Sequence, residues 1–252
     1  MRAASHRKVK SAERLLALFE LFSREQKGFA VGFIANKLNM PQPSVSMLLH
    51  NLKDLGYLEY NPSARTFFPS IRVALLGSWI DRRFSEYGSV ASHLDELHRK
   101  LGFTVFIGIQ NGPLAQYVLA QHAEAPDRLD VTSGQYRSLT GSAMGRALLA
   151  RMPDEEALRW VRRCNAEASH ERELVRESDY LALLRKFREQ GYAETCGDVT
   201  PGLGAVAMTF NSPMGNTPLA VGAGGPSDLV RERLGTVIEE LHRFRSVFEK
   251  NH

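Results

Sequence analysis

Short stretches of apolar residues at helical spacing, separated by sharp breaks, fill the first seventy residues. Ala12, Leu15, Leu16, Leu18, Phe19 and Phe22 recur on one helical face and predict an amphipathic helix that ends near Ser23, with Arg14 and Glu20 on its wet side. A second, shorter helix is predicted over 31–38, with Phe33 or Ile34, Ala35 and Leu38 available for burial. Asn39-Met40-Pro41-Gln42-Pro43 breaks the pattern, because a residue that precedes proline is driven to extended backbone and Pro43 carries a φ suited to a first helical position. The third helix, 43–55, carries Val45, Leu48, Leu49 and Leu52 on one side and Ser44, Met47, His50, Asn51 and Asp54 on the other, and Gly56 ends it. Two short strands, 58–60 and 66–68, then flank Asn61-Pro62-Ser63-Ala64-Arg65 as a β-hairpin.

Three helices with a tight turn before the third and a β-wing behind it predict a winged helix-turn-helix over 1–70. Charge supports the same reading: residues 1–76 hold eleven Lys/Arg against five Asp/Glu, a net of +6, while residues 77–252 hold 21 against 23, a net of −2. A basic head beside a near-neutral body suits a polyanionic partner such as double-stranded DNA, with a protein-interaction module as the alternative. In this architecture the second helix of the motif enters the major groove, which assigns Gln42, Ser44, Ser46, Met47, His50 and Asn51 to base edges and Lys37, Lys53 and Arg65 to phosphates.

Residues 71–80 and 86–100 again show helical spacing, around the mostly polar stretch 81–85, and predict a connector of two helices over 71–100. Leu75, Leu76, Trp79 and Ile80 are more apolar than a wet linker needs, so a second subunit is expected there. From residue 101 the order changes to an α+β pattern. Strands are expected at 104–109 and 114–121 around Asn111-Gly112-Pro113, then at 192–195, 205–210 and 219–223. Helices are expected at 142–151, 154–165, 177–190 and 228–249.

The segment IANKLNMPQPSVSMLLHNLKDLGYLEY, from Ile34 to Tyr60, resembles the DNA-binding segment of the IclR family of bacterial transcription regulators. Thr140-Gly-Ser-Ala-Met-Gly-Arg-Ala-Leu-Leu-Ala, Gly191-Tyr-Ala, Pro201-Gly202 and Gly225-Pro226 follow in that family's order, so the resemblance covers nearly the whole chain. It implies a GAF-like effector-sensing domain over 101–252, a homodimer or homotetramer, a pseudo-palindromic operator, and repression or activation switched by a small organic molecule, an organic acid above all. It further implies a ligand pocket lined by Thr140, Gly141, Ser142, Ala143 and Met144, by Asp198, and by Gly222 and Gly224 of the last central strand. Three departures stand out: Met47 replaces the family's usual arginine, Thr140 a common histidine, and Gly222 and Gly224 the serines of many relatives. Lost hydroxyls and lost volume predict a roomier pocket.

The bland reading of Thr140 or Ser142 is a helix cap; the sharper one is an anion site at a helix N-terminus. Enzyme motifs fail on inspection. Gly141-Ser142-Ala143-Met144-Gly145 is not G-x-S-x-G, and Gly222-Ala223-Gly224-Gly225-Pro226 lacks a dinucleotide loop's last glycine and its βαβ context. His93 and His98, five apart on a helix, do not share a face for metal, His122, His170 and His242 have no Cys or His partner at ligand spacing, and Cys164 and Cys196 are isolated, so no cofactor, no metal and a reducing cytoplasm are expected. No apolar run reaches the roughly 20 residues of a membrane span, and no signal-peptide core follows the polar opening.

Overall fold

Backbone breakers set the limits of the first elements. The computed structural model describes residues 9–84, 89–212 and 217–249, and of residues 78–84 and 172 the backbone alone. Three helices open the chain, α1 (Lys10–Glu25), α2 (Val31–Lys37) and α3 (Gln42–Asp54). α1 runs past Ser23 and stops at Gln26, whose left-handed backbone (φ 50°) turns its amide onto the Phe22 carbonyl. α3 begins one residue before Pro43: Pro41 takes the cap at extended backbone and Pro43 sits in the first turn. An amide-free residue loses nothing there, since first-turn N–H groups have no partner within the helix. Gly56, at φ +80°, closes α3 as its sequence position predicts.

Val45, Leu49 and Leu52 of α3 pack with Leu18, Leu21 and Phe22 of α1 and with Ile34 and Ala35 of α2, while Leu48 is only partly buried. Strands β1 (Leu58–Asn61) and β2 (Thr66–Pro69) pair antiparallel, Leu58 opposite Pro69 and Asn61 opposite Thr66. Phe67 is the hairpin's anchor: 1% exposed, it also exchanges both backbone hydrogen bonds with Phe29. The wing is therefore bonded into the three-helix core.

The chain forms two compact units, residues 1–80 and 81–252. α4 (Ile71–Phe84) continues through the polar stretch where a break was expected, since Asp81, Arg82 and Arg83 carry no helix-breaking geometry. α5 (Val90–Leu101), expected in the connector, instead buries Leu94, Leu97 and Leu101 in the second unit's core.

That unit is a six-stranded antiparallel sheet between two helical layers. Its strands are β3 (Thr104–Asn111), β4 (Leu114–Gln121), β5 (Tyr136–Ser138), β6 (Ala193–Cys196), β7 (Leu203–Asn211) and β8 (Pro218–Pro226), in the order β5-β4-β3-β8-β7-β6. One face carries α6 (Ala143–Ala150), α7 (Asp154–Glu167) and α8 (Glu177–Gln190); the other carries α5 and α10 (Leu234–Glu249). A single helix was expected over 228–249. Two form instead, α9 (Ser227–Glu232) and α10, because Arg233 leaves helical geometry at φ −102° and donates to the Leu101 carbonyl at 2.8 Å.

Period-two alternation sorts the strands between faces. Phe106, Gly222 and Ala207 lie side by side on the α6 face. A Cβ on Gly222 would come within 2.5 Å of the Phe106 ring and 2.6 Å of the Val206 carbonyl; one on Gly224 would come within 2.6 Å of Leu129. The volume that the two glycines leave is thus filled by Phe106 and Leu129, and the expected roomier pocket is not what these positions produce.

Two stability predictions follow from this packing. Leu49→Ala removes a fully buried side chain between three helices and is expected to cost about 2–5 kcal/mol in urea unfolding. Gly222→Ser inserts atoms against a ring and a backbone carbonyl, and is expected to destabilise by about 1–3 kcal/mol and to shift the fluorescence of a tryptophan placed at Phe106; unchanged stability would mean that Phe106 swings aside freely.

Candidate functional site

The exposed side of α3 is the candidate nucleic-acid surface. Burial of Val45, Leu49 and Leu52 turns Gln42, Met47, His50, Asn51 and Lys53 outward, and Ser44 and Ser46 fall on the half-buried flanks. Met47 is 75% exposed, so the middle of this helix presents a thioether and no guanidinium. His50 rests edge-on against Phe67, ring centres 5.4 Å apart, which ties the outer side of α3 to the wing. Lys53 lies 3.5 Å from Asp54, and Lys37 lies over the Phe33 ring. At the wing tip the Asn61 carboxamide oxygen accepts the amides of Ser63 and Ala64, and Arg65 takes a left-handed backbone at φ 52°. Arg72, which the sequence reading passed over, is exposed at the start of α4 with its guanidinium 4.8 Å from the Tyr57 ring centre.

A second candidate site lies on the α6 face of the sheet. The loop before α6 is held by its own hydroxyls. Ser142 Oγ donates to the Ser138 carbonyl and accepts from the Gly145 amide, so Ser142 is the N-cap of α6; Ser138 Oγ accepts from the Gly141 amide. The Thr140 carbonyl accepts from the Tyr180 hydroxyl at 2.9 Å and from Arg146 Nε at 3.1 Å. Arg146 Nη1 reaches the Glu194 carbonyl at 2.9 Å and the Asp198 carboxylate at 3.1 Å, and Asp198 also accepts the Cys196 amide.

Beside this loop is a cavity of about 30 Å³, room for about two water molecules. Ser142, Ala143 and Met144 line it, together with Phe106, Tyr117, Leu129, Arg137 and Thr195. Thr140, Gly141 and Asp198 are not among its lining residues, their polar groups being bonded elsewhere; Gly222 and Gly224 lie behind Phe106 and Leu129. Sequence reasoning missed Arg137. The signal that points to it is a charged residue at an inward position of a strand, for Arg137 stands opposite Ala115, which is fully buried.

The titratable groups here are set for neutrality. Burial pushes the Tyr117 phenol up to about 12 against the opposing pull of Arg137, and burial likewise raises the Tyr180 phenol. Burial, helped by the Glu167 charge, pushes the Cys164 thiol up to about 11, and that thiol donates to the Pro113 carbonyl; it is not an activated nucleophile. Among the described residues no group of three His, Cys, Asp or Glu could hold a metal ion, and no helix is long and apolar enough to cross a membrane.

Comparison with known proteins matches this two-part arrangement. The family described as IclR helix-turn-helix domain matches residues 11–62, and the family described as bacterial transcriptional regulator IclR C-terminal matches residues 88–245. The chain is 25% identical over 228 residues to the HTH-type transcriptional repressor AllR of Salmonella typhi, covering 89% of this chain and 82% of that one. It is 22% identical over 219 residues to the HTH-type transcriptional regulator KdgR of Escherichia coli (strain K12), covering 86% and 83%. In fold it is similar to the IclR crystal structure from Thermotoga maritima (TM-score 0.67, 17% identity, 95% of this chain and 97% of that one) and to an IclR regulator from Alicyclobacillus acidocaldarius (TM-score 0.67, 20% identity, 96% and 99%). The head and the body each match their own family in the expected order, and the chain belongs to the IclR family of bacterial transcriptional regulators, which pair a DNA-binding helix-turn-helix with an effector-binding domain.

Proposed function

We propose that this regulator binds a pseudo-palindromic operator as a homodimer, reading bases with the N-terminal half of α3 and phosphates with its flanking cations, and that a small organic acid in the second unit's cavity modulates the binding. The observation that carries the reading is the outward side of α3: polar and apolar groups without an arginine, next to a wing tipped by Arg65. Gln42, Ser44, Ser46, His50 and Asn51 offer hydroxyl, amide and imidazole groups to base edges, and the exposed Met47 suits a thymine methyl. Lys37, Lys53 and Arg65 are the phosphate partners, and Arg72 extends that set. Support for a dimer comes from α4, where Ile71 is 72% and Leu76 56% exposed; two such helices together would cover this apolar surface. The side chains of Trp79 and Ile80, expected in the same contact, lie outside the described residues. A regulator whose partner is DNA acts in the cytoplasm, in keeping with two isolated cysteines.

The direct test is selection of bound sequences from random duplex DNA at two salt concentrations. A two-fold related site with affinity falling steeply in salt is the expected result; no recovered sequence from folded protein would shift the reading to a protein-interaction module. On the selected site, Arg65→Ala is expected to weaken binding to all sequences and lower the salt slope by about 1, while Gln42→Ala or Ser44→Ala changes base preference at one or two positions. A uniform loss in all three, measured by fluorescence anisotropy, would contradict the groove assignment.

A further inference from the structure

We propose that Arg137 is the anion anchor of the cavity beside α6, and that its ligand is a monocarboxylic acid with an apolar body; the inference rests on reading this cavity as the effector site. β5 pairs with β4 so that Arg137 stands opposite the fully buried Ala115, on the sheet face that also carries Phe106 and Tyr117. Arg137 lines the cavity, and its charge acts on the Tyr117 phenol of the same lining. Among the described residues it makes no ion pair, and its one side-chain hydrogen bond goes to the adjoining Tyr136 carbonyl at 3.4 Å.

Three other arginines of this unit are committed. Arg146 bonds two carbonyls and Asp198; Arg188 bonds two carbonyls and Asp154; Arg233 bonds the Leu101 carbonyl and covers Phe103. A guanidinium held against apolar walls with no counter-charge favours an anion, and its planar fork matches a carboxylate with two parallel hydrogen bonds.

The remaining walls limit the rest of the ligand. Arg137 is the one charged residue of the lining, so a second carboxylate would lose its water without gaining a partner. Thr195 and Thr200 add hydroxyls to the lining, the Ser142 hydroxyl being spent on the α6 cap, whereas Phe106, Leu129, Met144 and Leu203 offer only apolar surface. Sugar acids would bury hydroxyls against that surface unpaired. The free volume of about 30 Å³ holds no such body until walls move, so the smallest apolar bodies, a short branched chain or one ring, are the ones expected.

The test is calorimetric titration of the full chain with isovalerate and benzoate, with their uncharged amides, and with the dianion succinate. Wild type is expected to bind at least one monocarboxylate, and its amide and succinate about tenfold or more weakly. Arg137→Gln is expected to lose that acid by about tenfold or more, and Arg137→Lys, which keeps charge without the fork, to fall between. Should the glutamine variant unfold, the acid-to-amide ratio of the lysine variant gives the same answer. Thr200→Trp, at the exposed rim, is expected to block the cavity. Acid binding lost in Thr200→Trp but intact in Arg137→Gln would overturn the anchor and leave the cavity standing; binding intact in both would overturn the cavity as well. Tighter succinate than monocarboxylate, or no acid bound at all, would overturn the ligand class.

Discussion

One guanidinium holds the second unit's candidate site together. Arg146, on the first turns of α6, bonds the Thr140 carbonyl ahead of its own helix, the Glu194 carbonyl of β6 and the carboxylate of Asp198 beyond β6. Two segments far apart in sequence, 140–146 and 194–198, thereby share one planar cation, whose side chain is only 15% exposed. Arg146 and Asp198 are largely spent on each other: a carboxylate that already accepts a guanidinium and a backbone amide has little capacity left for a ligand. The loop before α6 is in the same condition, with its serine capping the helix. Once these groups are accounted for, Arg137 is the charged lining group that faces the cavity without a counter-charge.

In the first unit the comparable constraint is Phe67. It belongs to the wing, is buried in the helical core, pairs with Phe29 through both backbone hydrogen bonds and receives the edge of His50 from the outer side of α3. Helix and wing thus share one aromatic contact, and their separation is set by core packing rather than by loop length. Core residues at this density resist displacement, so α3 and the wing keep one geometry relative to each other.

Much of this was legible in residue pattern. The proline pair before α3 and Gly56 after it bracket the helix by backbone chemistry alone, and the apolar period of Val45, Leu49 and Leu52 tells which side faces out. The antiparallel body was legible from Asn111-Gly112-Pro113 and its flanking strands. Long-range partners decided what was not. β5 is three residues long and is defined by its pairing with residues 114–116 of β4; α9 and α10 part where Arg233 turns to a carbonyl of α5; the space at Gly222 is filled by a ring from the next strand. Local sequence carries no record of a neighbour contributed by a distant segment, and the site residues misjudged are those whose bonding such neighbours determine.

The tightness of the cavity bears on how a ligand could act. A ligand shifts an equilibrium only by its difference in affinity between two arrangements, and a pocket that already fits it rigidly supplies no difference. Here the free volume is small, and its walls include Val199, Thr200 and Leu203, which flank the segment that Arg146 holds through Asp198, and Ser142 at the cap of α6. An acid larger than two water molecules must displace some of these walls. In the proposed effector role, displacing Ser142 or residues 199–203 loads segments that the Arg146 clamp joins, and this is a route from the cavity to α6 and β6.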